Sequence, residues 1–147
     1  MAQFPAPTEG LALTHFVVSR DVERSRRFYT EVLGGEAALA GETSIVALAN
    51  GWVTIGGAGG PTDDKPTVTL VPPSDLDRAS SFLNIRVADI AAVYEQWRER
   101  GAAFLTPPID RGAEIRCYMR DPDGHLIEVG QLVGRVDCPT SGRPGPV

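Results

Sequence analysis

Asp21 and Asp89 open the same pattern twice, at an offset of 68 residues (89 − 21), and this repetition constrains the fold more than any other feature of the chain. In the first copy, residues 11–19 hold Leu11, Leu13, Phe16, Val17 and Val18, an apolar stretch of strand length, and Asp21 then stands where a helix N-cap would. Val22, Ser25, Phe28, Tyr29, Val32 and Leu33 follow at three-to-four spacing, with Glu23, Arg24, Arg26, Arg27 and Glu31 on the opposite face. Gly34-Gly35 supply the stop. In the second copy, residues 82–87 alternate as a strand and Asp89 caps a helix. Ile90, Val93, Tyr94 and Trp97 form its apolar face, and Gly101 ends it. Each helix carries one apolar stripe that needs a sheet to cover it, so the chain is expected to be an internal duplication of a mixed unit.

Strand signals joined by tight turns follow each helix. In the first half residues 43–49, Asn50-Gly51 and residues 52–56 predict a hairpin. In the second, residues 114–119 pass through Asp121-Pro122-Asp123-Gly124 into residues 126–129. Asn-Gly and Asp-Gly tolerate positive φ, the requirement of a short hairpin turn. The segment between the halves is rich in Gly and Pro and carries one candidate strand at 68–71. Its glycines, Gly56-Gly57-Ala58-Gly59-Gly60, are not a phosphate loop, because no Gly-Lys-Ser/Thr follows and no helix opens there. The expected layout is an N-terminal extension at 1–10 and a single domain at 11–135. That domain divides into module one (11–57), a linker (58–79) and module two (80–132). Residues 136–147, dominated by Pro and Gly, are expected to be a frayed tail.

With 147 residues the chain suits one domain. Its 14 Lys and Arg against 19 Asp and Glu leave a net charge of −5, spread along the chain, which argues against nucleic acid or an anionic membrane as partner. No basic cluster followed by an apolar core opens the sequence, and no apolar run reaches membrane-spanning length. A cytoplasmic protein is expected. Cys117 and Cys138 make neither a disulfide framework nor a C-x-x-C pair; Cys117 reads as a small buried strand residue.

The run Asp21-Val22-Glu23-Arg24-Ser25-Arg26-Arg27-Phe28-Tyr29-Thr30-Glu31-Val32-Leu33-Gly34-Gly35 resembles the first helix of the vicinal oxygen chelate superfamily of glyoxalase, bleomycin-resistance and extradiol dioxygenase proteins. Asp121-Pro122-Asp123-Gly124-His125-Leu126-Ile127-Glu128-Val129 is similar to that superfamily's closing hairpin and last strand. The resemblance covers about 11–131. It implies an α+β fold in which two βαβββ modules form curled mixed sheets around a cavity. It also implies a small-molecule ligand and, in many members, a homodimer.

In the superfamily's enzymes a divalent metal (iron, manganese, nickel or zinc) is held by residues from the first and last strands of each module. The resemblance places Glu128 at one of these positions. The other first-strand positions fall on Thr14 and Phe82, and residues 49–62 contain no Asp, Glu or His for module one's last strand. His15 neighbours Thr14, but strand alternation turns it toward the helix unless a bulge intervenes. Glu128 is expected to point into a cavity lined by Phe16, Val18 and Phe82. Arg116 or Tyr118 is its expected partner, and Trp52 and Asn84 complete the expected ligand-binding set. His125, in the turn, reads as a solvated histidine.

Three functions remain open. The leading expectation is a binding protein for a small aromatic or apolar molecule that requires no cofactor. The alternatives are a metal-dependent glyoxalase-like lyase or extradiol-type dioxygenase with Glu128 and His15 as ligands, and a metal-independent enzyme. In the last, Glu128 is the catalytic base and Arg116 steadies an oxyanion.

Overall fold

The Asp21 side chain accepts a hydrogen bond from the Arg24 N–H at 3.0 Å, and this cap starts helix α1 (Val22–Arg27). A computed structural model of the chain, which describes residues 2–134, shows that the helix then widens into a π-helical turn at Phe28–Val32. There the Leu33 N–H reaches back five residues to the Phe28 carbonyl at 3.2 Å. The wider turn lets two consecutive aromatics enter the core together, Phe28 packing edge-on against Tyr29 with centroids 5.1 Å apart. Gly34, at φ 82°, closes the helix, in the left-handed region where only glycine is at ease.

Module one supplies β1 (Thr14–Ser19), β2 (Glu36–Leu39), β3 (Ser44–Leu48) and β4 (Gly51–Gly57), in the order β1-β4-β3-β2. Module two supplies β5 (Leu83–Arg86), helix α2 (Ile90–Glu99), β6 (Ala103–Phe104), β7 (Ile109–Asp110), β8 (Glu114–Arg120) and β9 (Leu126–Leu132). Its order is β5-β9-β8-β6, with β7 also against β8. In each sheet the strand before the helix is parallel to the last strand of its module, and the remaining pairs are antiparallel. This is the α+β arrangement of two mixed sheets expected from the repeat. The sheets stay open and do not close into a barrel.

One face of each sheet is covered by its helix. Val17, Tyr29, Val53 and Ile55 of the first half join Ile90, Trp97, Met119, Ile127 and Val129 of the second in one buried cluster, so the modules pair within a single chain. A polar junction reinforces this. The Asp123 carboxylate, whose side chain has no exposure, accepts from the Arg20 N–H (2.8 Å), the Ser25 hydroxyl (2.8 Å) and Arg24 Nη2 (3.2 Å). The Tyr29 hydroxyl donates to Asp121 at 2.9 Å. The closing turn of module two is thereby bonded to the first helix of module one.

Several boundaries differ from the sequence reading. The first strand starts at Thr14, and Leu11 and Leu13 lie outside it with their side chains in solvent. The candidate strand at 68–71 reduces to an isolated bridge between Gly59 and Leu70. In the first hairpin Leu48 pairs with Gly51, so the loop is Ala49-Asn50, and Ala49 rather than Asn50 or Gly51 takes the positive φ, 53°. The short strands β2, β6 and β7 carry too few residues to show a period of two. The tail at 136–147 lies outside the described residues.

Candidate functional site

Register determines which side chains meet on the uncovered face of the second sheet. Asn84 pairs with Glu128, and Glu128 with Tyr118; one rung further, Arg86 pairs with Gly130 and Gly130 with Arg116. Side chains alternate along each strand. Leu83, Ile85, Cys117, Met119, Ile127 and Val129 therefore turn to the core, while Asn84, Arg86, Arg116, Tyr118 and Glu128 share the opposite face. Phe82 packs edge-on against Tyr118, with centroids 5.9 Å apart.

Glu128 is buried, and both its oxygens have neighbours. The Tyr118 hydroxyl donates to Oε2 at 2.9 Å, and Arg86 Nη1 stands 3.6 Å from Oε1. Arg86 reaches this position because residue 130 is glycine: a Cβ there would lie 2.2 Å from Arg86 Nη1. The same Nη1 donates to Glu114 at 2.9 Å, and Arg116 Nη1 donates to the other Glu114 oxygen at 2.9 Å. Hydrogen bonds from Arg86 and then Arg116 hold the Glu114 carboxyl below its usual range. Burial, followed by the bond to Glu128, raises the Tyr118 phenol. Arg116 thus lies on the expected face but serves Glu114. The guanidinium beside Glu128 belongs to Arg86, which the sequence reading missed although Phe82, Asn84 and Arg86 are alternate residues of one strand.

In module one the rung equivalent to Asn84–Glu128 is Phe16–Thr54. Thr54 stands where the repeat would set a second carboxylate. Thr14, Phe16 and Val18 face the open side of this first sheet, and the Phe16 ring lies over Gly56, where a Cβ would meet Cζ at 2.5 Å. His15 falls between them on the side of Val17 and Ser19, as alternation predicts. Burial lowers its imidazole pKa, a neighbouring His125 adds to this, and Asp121 opposes it. His125 is not simply solvated. Its Nε2–H donates to the Val18 carbonyl at 2.7 Å, and its backbone N–H donates to Asp121.

Where the edge strands β1 and β5 approach, a cleft of about 600 Å³ opens between the sheets. Trp52, Leu13, Thr14 and His15 wall it from module one, and Asn84 and Arg86 from module two. Glu128 lies behind Arg86 rather than in the cleft wall. Among the described residues, the Asn84 amide and the Nε and Nη2 groups of Arg86 are engaged by no other side chain or backbone group. The cleft therefore offers an indole face together with the free Asn84 amide, a combination suited to a small organic molecule.

The donor chemistry does not fit a divalent metal at Glu128. Its neighbours are the Tyr118 hydroxyl and the Arg86 guanidinium, and the other positions the superfamily pattern and the repeat would use fall on Thr14, Thr54 and Phe82. His15 faces the other side of its strand, and no group of three His, Cys, Asp or Glu is gathered among the described residues.

The family model described as "Glyoxalase/Bleomycin resistance protein/Dioxygenase superfamily" matches residues 11–129. The chain belongs to this superfamily. A relative in the superfamily, the probable lactoylglutathione lyase of Synechocystis sp., is 24% identical over 137 residues, covering 80% of this chain and 92% of that protein. Among solved structures, a glyoxalase/bleomycin resistance protein/dioxygenase from Nocardioides has a TM-score of 0.68 at 22% identity, covering 99% of this chain and 92% of that one. TnmS3, an antibiotic-binding protein from Streptomyces sp. CB03234, has a TM-score of 0.61 at 22% identity, covering 87% of this chain and all (100%) of that one. These likenesses support the superfamily's fold. No helix among the described residues is long and apolar enough to cross a membrane.

Proposed function

We propose that this protein binds a small organic molecule with a flat apolar body in the cleft between its two sheets, without a metal at Glu128. The cleft itself carries the reading: about 600 Å³, walled by the Trp52 indole and apolar strand residues, with the unengaged Asn84 amide on its module-two side. That volume lies within the range of about 300–1,000 Å³ common for small-molecule sites. Glu128, bonded by Tyr118, and Glu114 hold the Arg86 guanidinium over Gly130, which leaves the Asn84 amide as the unengaged donor at the cleft wall. Phe16, Val18, Phe82, Arg116 and Tyr118 line the open sheet faces on either side. An antibiotic-binding protein on the same fold is consistent with a binding role.

Members of the superfamily often form dimers. Phe16, Phe82, Ile109 and Leu132 are all more than two-fifths exposed, and we propose that a second copy of the chain covers these faces. Against the metal-dependent reading, His15 alternates to the side of Val17 and Ser19 rather than to the open face with Thr14 and Phe16.

The test is calorimetric titration of chelator-treated protein with 8-anilinonaphthalene-1-sulfonate, repeated after loading with zinc, nickel, manganese or iron(II). Equal affinity with and without metal, lost in Trp52→Ala, is the expected result. Binding only to metal-loaded protein, with stoichiometric metal released by Glu128→Gln, would establish the metal-dependent alternative instead.

A further inference from the structure

The inter-sheet cleft has a continuation. A second cavity of about 510 Å³ lies between residues 3–13 and the start of β4, and its wall shares Leu13, Asn50, Gly51 and Trp52 with the cleft. The Trp52 indole N–H donates to the Gln3 carbonyl at 2.9 Å, so the N-terminal segment is tied to the residue that separates the two spaces. Phe4, Leu11 and Leu13 line the second cavity and are 49%, 82% and 87% exposed, apolar surface left to water although a concave wall is present to hold something against it.

We infer that the N-terminal segment and the inter-sheet cleft form one elongated binding site, taking an amphipathic ligand with a hydrogen-bonding head at Asn84 and an apolar tail against Phe4 and Leu11. The inference rests on the proposed ligand-binding role of the cleft. Polarity runs along the site. Its module-two end carries the unengaged Asn84 amide, its middle is the Trp52 indole, and its far end is formed by Phe4, Pro5, Pro7 and Leu11. A strongly hydrogen-bonding head suits the Asn84 amide, which can both donate and accept. A flat ring in the middle suits the indole. The N-terminal segment, absent from the repeat that builds the sheets, thus sets how long a ligand the protein accepts.

Two probes with the same head and different lengths test this: naphthalene-1-sulfonate, a single fused ring pair, and 8-anilinonaphthalene-1-sulfonate, which adds a further ring. Binding is measured by titration to the full chain, to a variant lacking residues 2–9, and to full-length Phe4→Ser with Leu11→Ser, each checked by circular dichroism. Both variants are expected to bind the longer probe at least tenfold more weakly and the shorter one within twofold of the full chain. Trp52→Phe, which keeps a ring but loses the bond to Gln3, is expected to weaken the longer probe selectively. An unchanged ratio of the two affinities overturns this inference and leaves the cleft reading intact. Failure of the full chain to bind either probe overturns both. A loss that tracks a shift from dimer to monomer in sedimentation assigns the segment to the subunit interface and also overturns the inference.

Discussion

Replacing Asp123 by Ala should separate the two modules energetically, because this carboxylate joins the closing turn of module two to β1 and α1. Its burial leaves no solvent to take over. Three donors converge on it: the Arg20 N–H, the Ser25 hydroxyl and the Arg24 guanidinium. Hydrogen bonds to a charged group each contribute about 1.5–3 kcal/mol. Ser25 keeps a second partner in Ser19 at 2.7 Å, and Arg24, about half exposed at 49%, regains water, so their losses are discounted. The balance is about 3–4 kcal/mol. For a chain of this length each kcal/mol lowers Tm by about 2–4 °C, so a fall of roughly 10 °C is expected. Urea unfolding of the wild type, Asp123→Ala and Asp123→Asn at pH 7 measures it. Asp123→Asn should lose about half as much, since the amide keeps one acceptor oxygen. Arg24→Ala should lose less than about 1 kcal/mol. A change of under about 1 kcal/mol in Asp123→Ala would refute the reasoning, because the junction would then contribute little to stability.

Asp121 and Asp123 should respond oppositely to pH. Burial raises the Asp121 pKa against opposition from His125, Tyr29 and backbone N–H groups, whereas burial at Asp123 is outweighed by the Arg20 N–H, Ser19, Ser25 and Arg24, which lower it. A raised carboxyl contributes stability below its unfolded pKa and loses it as pH rises through the folded value. Asp121→Asn should therefore gain stability relative to wild type as pH rises above the ordinary Asp range, while the contribution of Asp123 is present above that range and lost on acidification; urea midpoints across pH decide both. Gly35→Ala should destabilise by about 1–3 kcal/mol or more, because its Cβ would lie 2.9 Å from the Ala47 and Tyr29 carbonyl oxygens, which are backbone atoms and give little. Ala49→Gly should stabilise by up to about 1 kcal/mol through relief of its positive φ, read as a higher Tm; an unchanged or lower Tm would count against strain at that turn. Burial pushes the Cys117 thiol up to about 11, so in a Cys138→Ser background Ellman's reagent at pH 8 should react only after unfolding.

The two helices, their Asp caps and the closing hairpin were legible in the sequence because each is specified within a few residues by spacing and cap chemistry. Glu128 and its alternation with Val129 were legible for the same local reason. The π-helical turn that buries Phe28 and Tyr29 together was not, because an apolar pair at adjacent positions fits several helical phases. Arg86 escaped notice for a different reason. Its role depends on β5 lying parallel to β9 in a register that sets it against Gly130, and on that glycine leaving room for the guanidinium. The bond from His125 to Val18 spans 107 residues, which no local pattern could reveal.

By itself, the sequence determined the duplicated unit, the caps, the alternation of faces and the absence of carboxylate or imidazole ligands from residues 49–62. These properties depend on neighbours a few positions apart. The tertiary structure alone decided that both modules share one core, that Arg86 rather than Arg116 faces Glu128, and that Trp52 stands between the cleft and the cavity under the N-terminal segment. Each of those depends on strand register and on segments far apart in the chain coming into contact, and side-chain periodicity carries no record of which distant strand lies alongside.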